Sequence, residues 1–239
     1  MYIQSAAQAR DFARALRRKM RGMRGAEAGI AAPSPFIPLV AEILESSPVR
    51  VGAQGISALE EAHTGEVSAA MVKSAGADFC IIGHSERRAL GESNEDVHAQ
   101  LVAAAAAGLT PVLCVGERER SEDGAHVSFV ADELREALRG AQSLAQKLVV
   151  AYEPVWAIGR GANSMSAPEV REMAIFIRKT LADILGRKEA LRVPVLYGGS
   201  VEPSNAGMLI GDGDIAGLLV GHASAQVDEF MEIVLACRA

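Results

Sequence analysis

The stretch Tyr152-Glu153-Pro154-Val155-Trp156-Ala157-Ile158-Gly159 is where the chain is most legible. It follows a short apolar run, residues 147–151, that reads as a β-strand. Glu153 therefore stands at a strand tip, with a loop opened by Pro154 and closed by Gly159 directly behind it. Trp156 in that loop is the only tryptophan in the protein. Most glutamates are solvated surface groups. The Pro-Val-Trp neighbourhood shifts this reading, because an apolar loop that excludes water disfavours the charged carboxylate and makes it a stronger base near neutrality.

Outward from this stretch, short apolar runs alternate with longer helical patterns. The strand candidates are 29–32, 49–53, 79–83, 111–115, 148–151, 193–197 and 216–220. Most are continuously apolar, as parallel strands covered on both faces are. Ala9, Phe12, Ala13, Leu16, Met20 and Met23 form one stripe at helical spacing. Further helical patterns cover 38–44, 66–75, 94–107, 127–138, 166–185, 203–209 and 225–236. No linker, repeat or charge block divides them, so residues 1–239 are expected to form one α/β domain of strand–helix units. Eight helices stand against seven strands, and the pattern opens on a helix, so a strand is expected upstream of Met1.

Composition narrows the function classes. A net charge of −6 lacks the basic stripe that nucleic acid requires. The longest apolar run, 101–116, is broken by Thr110 and Pro111 and falls short of the ~20 residues of a membrane span. Cys80, Cys114 and Cys237 are odd in number and far apart, which suggests buried thiols in a reducing compartment and no metal site. With no apolar signal core at the start of the chain, a cytoplasmic location is expected.

Other polar clusters follow strand candidates. Gly83-His84-Ser85-Glu86-Arg87-Arg88 comes after 79–83. A lone histidine there is usually a hydrogen-bonded core residue, and Glu86, Arg87 and Arg88 could form an ordinary ion-pair network. A polar group at the carboxyl end of a barrel strand, however, is where such active sites lie. Tyr197-Gly198-Gly199-Ser200 and Val220-Gly221-His222-Ala223-Ser224 place glycines before helix starts, where backbone N–H groups converge on anions. Two such turns on the last two strands match the phosphate site of (βα)8 barrels, although each alone could be a tight turn. Thr64 with Glu66 could cap the following helix, Cys114 reads as a buried inert thiol, and Glu117 could accept a hydrogen bond from the Trp156 indole.

Together, Gly52-Ala53-Gln54, Thr64-Gly65-Glu66-Val67-Ser68, the His84 and Glu153 segments, Leu113-Cys114-Val115-Gly116-Glu117 and Tyr197-Gly198-Gly199-Ser200 resemble the triosephosphate isomerase family, in order and over almost the whole chain. The resemblance implies a TIM (βα)8 barrel, usually a homodimer, acting in glycolysis and gluconeogenesis. Such an enzyme interconverts dihydroxyacetone phosphate and D-glyceraldehyde 3-phosphate without a cofactor or metal. It implies Glu153 as the base, neutral His84 as the group that polarises the substrate oxygens, and Glu86 as a supporting residue beneath the site. Pro154, Val155, Trp156, Ala157 and Ile158 would form a lid running to about Ala162. Backbone amides of Gly159, Ser200, Gly221 and His222 would hold the phosphate, and Thr64 would tip a loop reaching the partner subunit.

Three departures bear on these expectations. The family's first strand ends Asn-Trp-Lys-Met, and Met1-Tyr2-Ile3-Gln4 matches it only from the Met onward. The lysine and asparagine are thus expected upstream of Met1, leaving the given chain impaired and residues 29–32 and 216–220 as sheet edges. The family's Thr-Gly-Lys lid end is replaced by Arg160-Gly161-Ala162-Asn163, and His222 replaces a glycine, which would be strained at positive φ. The competing readings are a non-catalytic phosphate-binding barrel and, lower, another phosphate-handling barrel enzyme such as one acting on a ribose phosphate.

Overall fold

The computed structural model describes residues 3–58, 63–140, 142–161 and 164–238. Seven strands appear among them: β1 (Ala28–Ala32), β2 (Val49–Ala53), β3 (Phe79–Ile82), β4 (Thr110–Val115), β5 (Val149–Tyr152), β6 (Val195–Tyr197) and β7 (Gly217–Leu218). Each falls on a predicted run. They form one sheet in chain order, every neighbouring pair parallel. Parallel neighbours require crossovers, and the helices supply them. β1 and β7 are the outer strands and do not pair with each other among the described residues.

The helices are α1 (Ala6–Met20), ahead of β1, the crossovers α2 (Ile37–Leu44), α3 (Ala69–Ser74), α4 (Ser85–Ala89), α5 (Asn94–Ala106), α6 (Ala125–Ala137), α7 (Ala167–Leu185), α8 (Arg187–Ala190) and α9 (Pro203–Asp212), and α10 (Val227–Ala236), after β7. The α1 stripe is buried at Ala9, Phe12, Ala13, Leu16 and Met20, with Met23 just past the helix end. Ser5 starts α1 by accepting the Gln8 N–H. Reciprocal caps start α5 through Ser93 and Asp96, and α7 through Ser166 and Glu169. Two short helices, α4 and α8, escaped the sequence pattern because neither is long enough to show a period. The helix expected over 66–75 begins at Ala69 and is capped by Ser68, so Thr64 is not its cap.

Alternation along the strands divides the apolar residues into two layers. Leu113, Val115, Val150 and Tyr152 face the helices in the main core. Val112, Cys114 and Ala151, with Phe79, Ile81, Val149, Leu196 and Leu219, fill the inner side of the curled sheet. The Phe79 ring lies over Gly29 and Gly52, where a Cβ would come within 2.9 and 2.5 Å of it. Extending the period of two past the strand ends puts Gly116 and Glu153 on the inner side.

Candidate active site

Glu153 is held where β5 gives way to its loop. Its backbone N–H donates to the Val115 carbonyl (2.8 Å), and Gly116 lies against its main chain so closely that a Cβ at 116 would collide with the Glu153 carbonyl. Gly198 makes similar room, since a Cβ there would stand 2.9 Å from Glu153 Cγ. The side chain is buried, one carboxylate oxygen accepting the Ser85 N–H at 3.2 Å and the other lying 3.1 Å from His84 Nε2.

His84 is the residue that starts α4. Its backbone is non-helical (φ −54°, ψ 143°), and its Nδ1 accepts the Glu86 backbone N–H at 3.2 Å. An accepting Nδ1 leaves the ring proton of a neutral imidazole on Nε2, pointing at Glu153. Burial lowers the His84 pKa, but the hydrogen bond and charge of Glu153 and the charge of Glu86 outweigh it, so the net direction is upward. The Glu86 N–H works the other way, because it uses the lone pair that a second proton would occupy. Glu86 itself is exposed on the first turn of α4.

The loop behind the base forms one 3-10 turn at Val155–Ala157. Ala157 is buried, while Val155 and Ile158 present apolar side chains to the outside. Buried Glu117 fastens this turn: Trp156 Nε1–H donates to it at 2.8 Å and the Tyr152 hydroxyl at 2.9 and 3.0 Å. Burial and the Glu117 charge push the Tyr152 phenol far up. Cys114, under Glu153, is likewise raised by burial and then by the Glu153 charge, so it is an inert thiol.

Ser200 is buried after β6, and its Oγ accepts the Gly161 N–H at 3.0 Å, joining the far end of the loop to the Gly-Gly turn. Gly159 has φ +73°, a conformation that favours glycine. Gly221 and His222 are exposed after β7, which pairs with β6, so both turns leave the same edge of the sheet. The strain anticipated at His222 is absent: the non-glycine residues with positive φ among those described are Ser46 and Asp214. Ala162 and Asn163 at the loop's end, residues 59–62 before Thr64, and Met1 and Tyr2 lie outside the described residues.

Sequence reasoning picked out His84, Glu153 and Glu117 but not Glu133. This glutamate of α6 is buried, and its Oε2 accepts the Gly116 N–H at 2.8 Å. The one available signal was a carboxylate on the apolar side of a helical stripe, flanked by Val130 and Leu134.

Fold and site together define a TIM-barrel enzyme, with a carboxylate and an imidazole meeting at the carboxyl ends of parallel strands. The profile of the family "Triosephosphate isomerase" matches residues 1–237. The triosephosphate isomerase of Alkalilimnicola ehrlichii is 43% identical over 213 residues, covering 87% of this chain and 85% of that protein. The one from Carboxydothermus hydrogenoformans is 40% identical over 231 residues, covering 95% and 92%. The crystal structure of triosephosphate isomerase from Bartonella henselae superposes with a TM-score of 0.88 at 32% identity, covering all of this chain and 96% of that one. The chain belongs to the triosephosphate isomerase family, and the reading as a non-catalytic barrel is not favoured.

Proposed function

We propose that the protein interconverts dihydroxyacetone phosphate and D-glyceraldehyde 3-phosphate, the whole chain acting as one barrel domain. The observation that carries this is the buried Glu153 carboxylate set 3.1 Å from the Nε2 of His84. Glu153 takes a proton from one carbon of the substrate and returns it to the neighbouring carbon. The His84 Nε2–H, donating to Glu153 when substrate is absent, turns to the substrate oxygens, gives its proton to the one that becomes the hydroxyl and takes back the proton of the one that becomes the carbonyl. Glu86 supports His84 through its backbone N–H and its charge. The loop of Pro154, Val155, Trp156, Ala157 and Ile158 covers the reacting atoms, and amides of Gly159, Ser200, Gly221 and His222 hold the phosphate. The reaction needs no cofactor or metal, since every step is a proton transfer. Family resemblance supports a cytoplasmic homodimer docked through the Thr64 loop, which sedimentation at micromolar protein would detect.

The test is turnover in D2O with either triose phosphate. Interconversion with deuterium appearing on the carbon that receives the proton is expected. Failure to interconvert the two compounds, both by this chain and by a form extended with a strand ending in Asn-x-Lys, would sink the reading.

A further inference from the structure

Behind Glu153, on the side of α5 and α6, lies a cavity of about 580 Å3 whose wall includes Gly83, Arg88, Gly116, Glu133, Glu153 and Val155. The strand tips that carry the site border it, with Val97 of α5 lying against Gly83. A buried ion pair ties the two tips together. Glu133 Oε1 lies 3.3 Å from Arg88 Nη1, and its Oε2 accepts the Gly116 N–H. Arg88 Nε donates to the carbonyl of Gly83 (2.8 Å), the residue before His84, and Nη2 reaches the Cys114 carbonyl (3.5 Å). Nη1 also donates to Asn94 (2.6 Å), which donates in turn to Glu136 (2.6 Å). One end of this pair thus grips the β3 tip that leads to His84. The other grips Gly116, on which the main chain of Glu153 rests.

We propose that Glu133 is a positioning residue for the isomerisation, its anion holding Arg88 and Gly116 so that His84 and Glu153 keep their spacing. The inference rests on the isomerase reading of the site. The groups facing Glu133 are Arg88 from α4, Glu117 and the Cys114 thiol from the end of β4, and Glu153 from the end of β5, with Arg118 on the wall of the same cavity. Burial pushes the Glu133 carboxyl up to about 7; Arg88 and the Gly116 N–H oppose this, while Glu117 and Glu153 add to it. Above that pH the anion is present and the clamp is made. Below it the carboxyl is neutral, Arg88 loses its counter-charge, and the tips can relax into the cavity. Displacements of about 1 Å cost as much as ~100-fold in turnover.

The experiment compares the full chain with Glu133→Gln, a neutral side chain of nearly the same shape. The Gly116 amide proton, donated to this carboxylate, reports its titration by NMR. In the wild type, kcat should fall as pH drops through the midpoint that Gly116 reports. In Glu133→Gln, both the Gly116 titration and that limb of kcat should vanish, with kcat at pH 8 reduced about tenfold or more and KM within about twofold. A wild-type kcat that ignores the Gly116 midpoint overturns the proposal, as does full kcat in the variant. Should the wild type and its extended form both fail to interconvert the triose phosphates at all, the reading of function fails instead. The His84 ring-nitrogen resonances then decide the positioning claim. A component that follows the Gly116 midpoint and disappears in Glu133→Gln supports it, and its absence overturns it.

Discussion

In the proposed reaction Glu153 and His84 do different jobs because their surroundings differ. Glu153 receives one backbone N–H and otherwise faces the imidazole and the Cys114 thiol, which hydrogen-bonds to it, and in the proposed reaction a small movement of its carboxylate exchanges His84 for substrate. His84 is locked from behind by the Glu86 N–H, which fixes which nitrogen carries the proton. Withdrawing the base by one methylene should therefore cost turnover and not binding. Glu153→Asp is expected to lower kcat by about 100-fold or more while KM shifts only a few-fold, as steady-state rates in both directions would show. Equal losses in the two constants would contradict this assignment. Both residues were legible because they occupy strand ends with unusual neighbours. Glu133 was not: a glutamate in an amphipathic helix ordinarily faces solvent, and only its tertiary contact with Arg88 reveals otherwise.

At the scale of elements, strands were more legible than short helices. A buried parallel strand announces itself by a run of apolar residues, whereas α4 is one turn long and is specified by its cap, the side chain of His84. The same residue thus starts a helix and presents its proton, which ties local folding to chemistry. α1 shows the opposite case, a helix whose pattern was plain and whose outer face is in conflict with itself. Arg10, Arg14, Arg17 and Arg18 are exposed on one side, and Arg14 has like charges at i−4, i+3 and i+4. Like-charge neighbours at these spacings destabilise a helix by ~0.2–0.5 kcal/mol each. Arg14→Glu turns three repulsions into attractions and the Asp11 attraction at i−3 into a repulsion, a net gain of two pairs. Urea denaturation at low ionic strength should show a gain of about 0.5–1.5 kcal/mol, shrinking as salt is added. A loss would mean that Arg14 makes a favourable contact.

For the whole molecule, the carboxylate proposed to position the site works against stability. The ordinary value for Glu133 is 4.5 and its folded value is about 7, so the folded state binds its proton more tightly than the unfolded chain does. The resulting stabilisation is fully present below 4.5 and is lost as pH rises through about 7. Between pH 5 and pH 8 the wild type should lose about 2–3 kcal/mol from this group, at ~1.4 kcal/mol per pH unit. Glu133→Gln should lack that loss, matching the wild type near pH 5 and exceeding it at pH 8 in denaturation experiments. A variant less stable than the wild type at pH 8 would show that Arg88 cannot tolerate a neutral partner. That the strands are parallel was visible in their continuously apolar runs, while their order in the sheet came only with the family resemblance. The way its inner side is filled was not visible, because that depends on which strand leans over which. One aromatic ring there occupies the space of two absent methyl groups, at positions 29 and 52. The three sites consequently share a single allowance of volume. A lineage that first trims Phe79 can afterwards accept alanine at 52, while the reverse order passes through an overfilled interior, so substitutions at these sites should accumulate in one sequence only.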